Sequence, residues 1–200
     1  MFIGIPLDGA VEQWLRDELV PLKAQVDKTL ATASTPAPTI RWVRPENWHI
    51  TLDFLGQISG DKARHIGKLL AQALAATKPV PAELQVIRGF PHANSPIIAA
   101  LLADNAALQK LYEQIQAICK IAGLPREQRP FTPHITLARL KNPGGQGRKR
   151  HRRARLADEF SIPSVPVNKP LTLNRVQLLE SQLSPEGSHY ETHTELLLRP

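Results

Sequence analysis

Apolar residues along this 200-residue chain recur in two rhythms, a period of two that marks strands and steps of three and four that mark helices. Residues 1–6 read as a short apolar strand. From Asp8, a suitable N-cap, the positions Trp14, Leu15, Leu19, Leu22 and Val26 predict a helix, which the Ala-Thr-Ser-Pro-rich stretch 31–39 ends as a loop. A strand at 40–43 and a turn at Pro45-Glu46-Asn47 lead to a strand at 48–55 that Gly56 closes. Ser59 is placed to cap a helix running to about Thr77, with Ile66, Leu69, Leu70, Ala73 and Leu74 on its core face. Pro79-Val80-Pro81 is the best candidate for a hinge between two halves. Beyond it the pattern predicts strands at 83–88 and 97–102 and a helix over 105–122 with the stripe Leu108, Leu111, Ile115, Ile118 and Cys119. A strand at 134–140 and further strands near 172–179 and 192–198 complete the chain.

One tetrapeptide, His-Ile-Thr-Leu, occurs twice, at 49–52 and at 134–137, each time inside a predicted strand. Alternation sends His49 and Thr51 to one face and Ile50 and Leu52 to the other, and the second copy does the same with His134 and Thr136. A lone His-x-Thr in a strand is ordinarily structural. Two copies facing each other put two imidazoles and two hydroxyls around one cleft. Histidine titrates near neutrality, so one imidazole can accept a proton from an attacking water while the other donates one to a leaving oxygen. The threonine hydroxyls can donate to phosphate oxygens as charge builds on them. A zinc site would want three or four converging ligands, and neither HExxH nor CxxC is present. Asp53 falls on the strand face opposite His49. His189 and His193 decorate an exposed edge near the C-terminus.

With 42% hydrophobic residues the chain can bury one sizeable core, folded as two lobes, each combining strands, one long helix and one motif strand. No run approaches a membrane span, the start carries no signal-peptide pattern, and the single Cys119 reads as a buried structural thiol, so the expectation is a cytoplasmic protein without membrane partners. The net charge of +7 is concentrated: Arg148, Lys149, Arg150, Arg152, Arg153 and Arg155 are six of the 25 basic residues, and the other 19 nearly balance the 18 acidic ones. Such a cluster, in a loop over about 141–156 expected to be mobile, suits a polyanion such as RNA, against the alternative of a solvated, solubilising loop.

The stretches FIGIPL, RWVRPENWHITLDFLG, FTPHITLARL and LLESQLSPEGSHYE, in that order, resemble the landmarks of the two-histidine phosphoesterases, and within them the RNA 2′,3′-cyclic phosphodiesterases, LigT-like proteins also called 2′-5′ RNA ligases. The resemblance covers essentially the whole chain. It implies an α+β fold of two pseudo-twofold-related lobes of antiparallel strands and helices around a central cleft, residues 1–200 forming a single bilobal catalytic domain. It implies metal-independent hydrolysis of RNA 2′,3′-cyclic phosphate ends to 2′-phosphomonoesters, with no cofactor; a monomer is expected. Carried over residue by residue, His49 corresponds to the proton donor, His134 to the proton acceptor, and Thr51 and Thr136 to the phosphate-contacting threonines. The family often has a basic residue at the position of Arg139, near the phosphate; strict alternation puts Arg139 on the other face unless a bulge, twist or strand end brings it round. The Arg- and Lys-dense segment is not a family signature. The alternatives are 2′-5′ ligation in the same site, a non-catalytic RNA- or nucleotide-binding module, and small cyclic nucleotides in place of RNA ends such as tRNA fragments.

Overall fold

The computed structural model describes residues 1–32, 38–125, 128–141, 162–184 and 187–199. The basic segment 148–155 lies outside them. Helix α1 spans Gly9–Thr32, α2 Gly60–Leu74 and α3 Ala106–Ile121; the strands are β1 (Phe2–Pro6), β2 (Thr39–Trp42), β3 (His49–Phe54), β4 (Val80–Gly89), β5 (Ile97–Leu102), β6 (His134–Lys141), β7 (Val165–Leu173), β8 (Arg175–Ser184) and β9 (Gly187–Leu197). Each helix starts where a side-chain oxygen meets an otherwise unpaired N–H: Asp8 Oδ1 accepts from Val11 N at 2.8 Å, Ser59 Oγ from Lys62 N at 3.3 Å, and Asn105 Oδ1 from Leu108 N at 2.9 Å. The stripe of α3 is buried as its spacing predicts. In α2 the expected core face holds at Ile66, Leu70 and Leu74, but Ala73 is exposed and Gly67 takes a buried place against β9, where a Cβ would lie 2.8 Å from Thr194 Oγ1.

Among the described residues the nine strands form one antiparallel sheet in the order β7-β4-β5-β6-β3-β1-β8-β9, with β2 pairing β6 beside β3. Its middle is a single bridging pair, Ile50↔Ile135, both fully buried. On one side of that pair lie β1, β8 and β9; on the other lie β5, β4 and β7. The two outer arms are the lobes. Where alternation predicts one strand near 172–179 there are two, because the chain leaves β7 on one edge and enters β8 in the other arm with only Asn174 between them. The sheet therefore curves until its arms meet at Asn174, whose carbonyl accepts from Leu198 N at 2.8 Å. The chain also crosses between the arms at 75–79, from α2 to β4. The expected hinge is thus displaced: Val80 and Pro81 already belong to β4, and Pro81 is tolerated because β4 has a single neighbour there, β7, its pairing with β5 beginning only at Leu84.

Helices α2 and α3 pack against each other, with α3 under β3 and β4 and α2 under β9. Helix α1 lies by β7 and β2, where the Lys169 ammonium is 5.3 Å from the Trp14 ring centroid and that of Lys23 5.2 Å from Trp42. No helix among the described residues is long and apolar enough to cross a membrane.

Candidate active site

The two motif strands meet antiparallel at Ile50 and Ile135. Extending that register makes His49 level with Thr136 and His134 level with Thr51. The bridging pair sets the two motifs side by side, and the charge of His134 acts on His49, so the two His/Thr pairs share one patch. Both strands show the same burial sequence: half-buried His, buried Ile, half-buried Thr, then two consecutive buried residues and an exposed one. The doubled buried position is a bulge. Ile3 and Gly4 of β1 pair with Asp53 and Thr51, skipping Leu52; Ile98 and Ala99 of β5 pair with Ala138 and Thr136, skipping Leu137. The skipped carbonyls find partners outside these ladders, Leu52 O from Gln116 Nε2 at 3.5 Å and Leu137 O from Val43 N at 2.8 Å.

The bulges settle the face of Arg139. Ala138 shares a face with Ile98, and Thr136 with Ala99, so Arg139 returns to the side of His134 and Thr136. The equivalent residue after the first motif is Phe54, a ring 72% exposed on the side of His49 and Thr51. Gly4 keeps the approach close: a Cβ there would lie 3.2 Å from Ile50 O and 3.3 Å from His49 Cδ2. Asp53 stays behind the sheet, 7% exposed, and bonds the Cys119 thiol. Burial and that carboxylate push the thiol far above its ordinary pKa, which leaves it an inert core residue.

Each imidazole is held in the same way. Nδ1 of His49 lies 2.7 Å from the carbonyl of Asn47, and Nδ1 of His134 lies 2.7 Å from that of Thr132, two residues upstream in both cases. A carbonyl only accepts, so Nδ1 carries the proton and Nε2 is left for chemistry. Aromatic rings fix the planes. Phe90 stacks on His134 at 4.0 Å between centroids, while Phe2 at 4.7 Å and the edge-on Tyr190 at 5.2 Å enclose His49. Arg88 donates to the carbonyls of Gly89 and Pro91 and so braces the segment that carries Phe90. Burial pushes the His49 pKa below 6.5, the Asn47 carbonyl opposes this, and positive charge at His134 and Arg139 lowers it further. His134 is also lowered, by burial first and then by Arg139, against the opposing pull of the Thr132 carbonyl.

The aromatic rings and the two carbonyls were not legible as site components, although the repeated offset of two from each histidine was available in the sequence. Asn47 does double duty, since its Nδ2 donates to Ser188 O at 2.7 Å and ties the β8–β9 hairpin, which carries Tyr190, to the turn before His49. Asn47→Ala is expected to lower kcat several-fold with KM little changed, and to loosen the His49 tautomer preference. Imidazole ¹⁵N shifts with wild-type kcat and tautomer in the variant would contradict that role. Among the described residues no three His, Cys, Asp or Glu side chains converge as a metal site. His189 and His193 are exposed on β9, the sheet's edge strand.

A curved antiparallel sheet with a duplicated His-x-Thr strand at its centre defines a LigT-like two-histidine phosphoesterase fold. The chain belongs to the 2′-5′ RNA ligase superfamily, whose family model matches residues 41–183. Among curated relatives, the RNA 2′,3′-cyclic phosphodiesterase of Aeropyrum pernix is 28% identical over 86% of this chain and 93% of its own length. That of Geobacillus stearothermophilus is 30% identical over 69% of this chain, which spans only 41% of that longer relative. The E. coli LigT crystal structure with 3′-AMP covers 98% of this chain and 96% of its own at 20% identity and a TM-score of 0.64.

Proposed function

We propose that this protein hydrolyses RNA 2′,3′-cyclic phosphodiester ends to 2′-phosphomonoesters, in the cytoplasm, as a monomer and without a metal. The observation that carries this reading is the pair of Nδ1-anchored imidazoles flanking one patch with two threonines. His134 Nε2 takes a proton from water as its oxygen attacks phosphorus in line with the 3′ oxygen. The P–O3′ bond breaks, and His49 Nε2 delivers its proton to the departing oxygen, so one water is consumed and a 2′-phosphate and a 3′-hydroxyl result. Thr51, Thr136 and Arg139 bind the non-bridging oxygens, where preorganised donors gain most in the transition state. The exposed Phe54 ring offers a π face to a nucleobase. Hydrolysis is favoured over 2′-5′ ligation because water, as the solvent, outcompetes an incoming hydroxyl for the same phosphorus. The relatives' names, as RNA 2′,3′-cyclic phosphodiesterases, support the same substrate class.

The deciding experiment supplies an oligonucleotide with a 2′,3′-cyclic phosphate in excess EDTA and maps the phosphate of the product. A 2′-phosphate is expected, at a rate the chelator does not change. A 3′-phosphate product would overturn the assignment of the leaving oxygen. Loss of turnover in chelator, restored by one divalent ion, would overturn the acid–base mechanism.

A further inference from the structure

Arg41 of β2 and Arg139 of β6 are direct cross-strand partners, and opposed residues of a ladder project from the same face. Both are exposed, and among the described residues no carboxylate pairs with either. Like charges set opposite each other in a sheet are unfavourable, so two opposed guanidinium groups that meet no carboxylate among the described residues make a favourable place for an anion. The next row on that face is Thr39 opposite Lys141, which extends the positive track along β6 away from the motif. The two arginines are not equivalent. Arg139 lowers the pKa of both histidines and so sits within their field. Arg41 reaches outward to the β8–β9 hairpin, where Gly187, at φ +140, has its α-carbon against the guanidinium and a Cβ would lie 2.5 Å from Nη2.

We propose that Arg41 forms a second phosphate subsite, which holds the phosphodiester one nucleotide upstream of the reacting end. The inference rests on the cyclic-phosphodiesterase reading of the histidine site. In a chain that ends in a 2′,3′-cyclic phosphate every other phosphate lies on the 5′ side, so a second anion site in that cleft can receive only an upstream one. The step from Thr136 to the Arg41–Arg139 row is three residues of β6 shortened by the bulge at Leu137, somewhat under about 10 Å and comparable to a single nucleotide step. Arginine suits the task because its planar fork binds two phosphate oxygens at once. The site makes the protein a reader of RNA ends in preference to cyclic mononucleotides, and it lies within the described residues, independent of the segment 148–155.

The test uses the full chain, wild type and Arg41→Gln, with three substrates: a 2′,3′-cyclic mononucleotide, a dinucleotide ending in the cyclic phosphate, and that dinucleotide with a neutral methylphosphonate linkage. Wild type is expected to prefer the charged dinucleotide over the other two. Arg41→Gln is expected to lose about tenfold in kcat/KM on the charged dinucleotide, mainly through KM, the scale of one charge-assisted hydrogen-bonded contact. Its kcat/KM on the other two substrates should stay within about twofold of wild type, and Arg41→Lys should recover part of the loss. The log–log salt dependence of KM for the charged dinucleotide should flatten by at most ~0.7, one single-strand phosphate contact. Equal losses on all three substrates would assign Arg41 to the reacting phosphate or to folding, and no loss on any would leave it a bystander; either result overturns the proposal. Absence of turnover of every substrate by wild type would instead sink the underlying cyclic-phosphodiesterase reading.

Discussion

Replacing His49 or His134 with alanine is expected to cost roughly 10²-fold or more in kcat/KM on a 2′,3′-cyclic phosphate end, the usual worth of a positioned acid or base. Because the two act as one unit, the double variant should lose far less than the product of the single losses. The pH dependence is the sharper readout. Both imidazoles titrate below 6.5 in the free protein, for reasons of burial and neighbouring positive charge. The profile of kcat/KM rises as the base loses its proton and falls as the acid loses its own. Its maximum therefore lies below pH 6.5, and the alkaline limb is already descending at pH 7. A bound phosphate anion raises the pKa of the acid, so the profile of kcat in the complex should be displaced to higher pH than that of kcat/KM. The same depression has a folding counterpart: with folded pKa values below the unfolded 6.5, protonation of the buried imidazoles destabilises the fold as pH falls through the window beneath about 6.5 and has no effect above it. Alanine variants should consequently be less sensitive to acid, with little change in stability at pH 8. A flat activity profile from pH 5 to 9, or a fully active single variant, would contradict the assignment.

What the sequence revealed and what it concealed divide along a physical line. Periodicity reports which face a residue takes on its own element, and it held for most positions though not for Ala73 of α2: β5 spans Ile97–Leu102 as read from the pattern, the stripe of α3 is buried throughout, and the motif strands leave His and Thr half-buried while burying Ile and Leu. It does not report which strand lies alongside. Both bulges arise from register with β1 and β5, so Arg139 reads as facing away until those pairings are known. The break at Asn174 was hidden for the same reason, since Leu171, Leu173, Val176 and Leu178 are all buried while the chain changes arms between them.

The candidate site follows the same rule. His49, Thr51, His134 and Thr136 were legible because duplication singles them out within their own strands. Phe2, Phe90 and Tyr190 touch the imidazoles from other strands or loops, so periodicity does not place them there, although Phe2 and Tyr190 lie in two of the stretches that carry the family resemblance. Two signals were nonetheless present in the repeat. The residue two before each histidine supplies the carbonyl that anchors Nδ1. The residue five after each histidine, Phe54 or Arg139, returns to the site face. Pseudo-symmetric positions that differ in this way mark where the two halves of the cleft specialise, an aromatic surface on one side and a cation on the other.

The threonines, like the histidines, are shared by both halves, and Thr51→Val and Thr136→Val are expected to lower kcat about tenfold or more each. KM should change far less, because a hydroxyl aimed at a non-bridging oxygen gains strength as charge builds there. Valine keeps the branched shape that suits a strand, and both threonines are only half-buried on the cleft face, so folding should be nearly unaffected. The flanking positions sharpen the comparison. Thr51 is paired with Gly4, where a Cβ would lie 3.3 Å from His49 Cδ2, whereas Thr136 is paired with Ala99. A bulky neighbour at Gly4 would displace His49 itself, so losses from Gly4→Val should resemble those of His49→Ala in their pH profile. The threonine losses should instead leave the pH profile in place and scale it down. Wild-type kcat in both valine variants would reduce the hydroxyls to strand residues and transfer the binding of the phosphoryl oxygens to Arg139 alone.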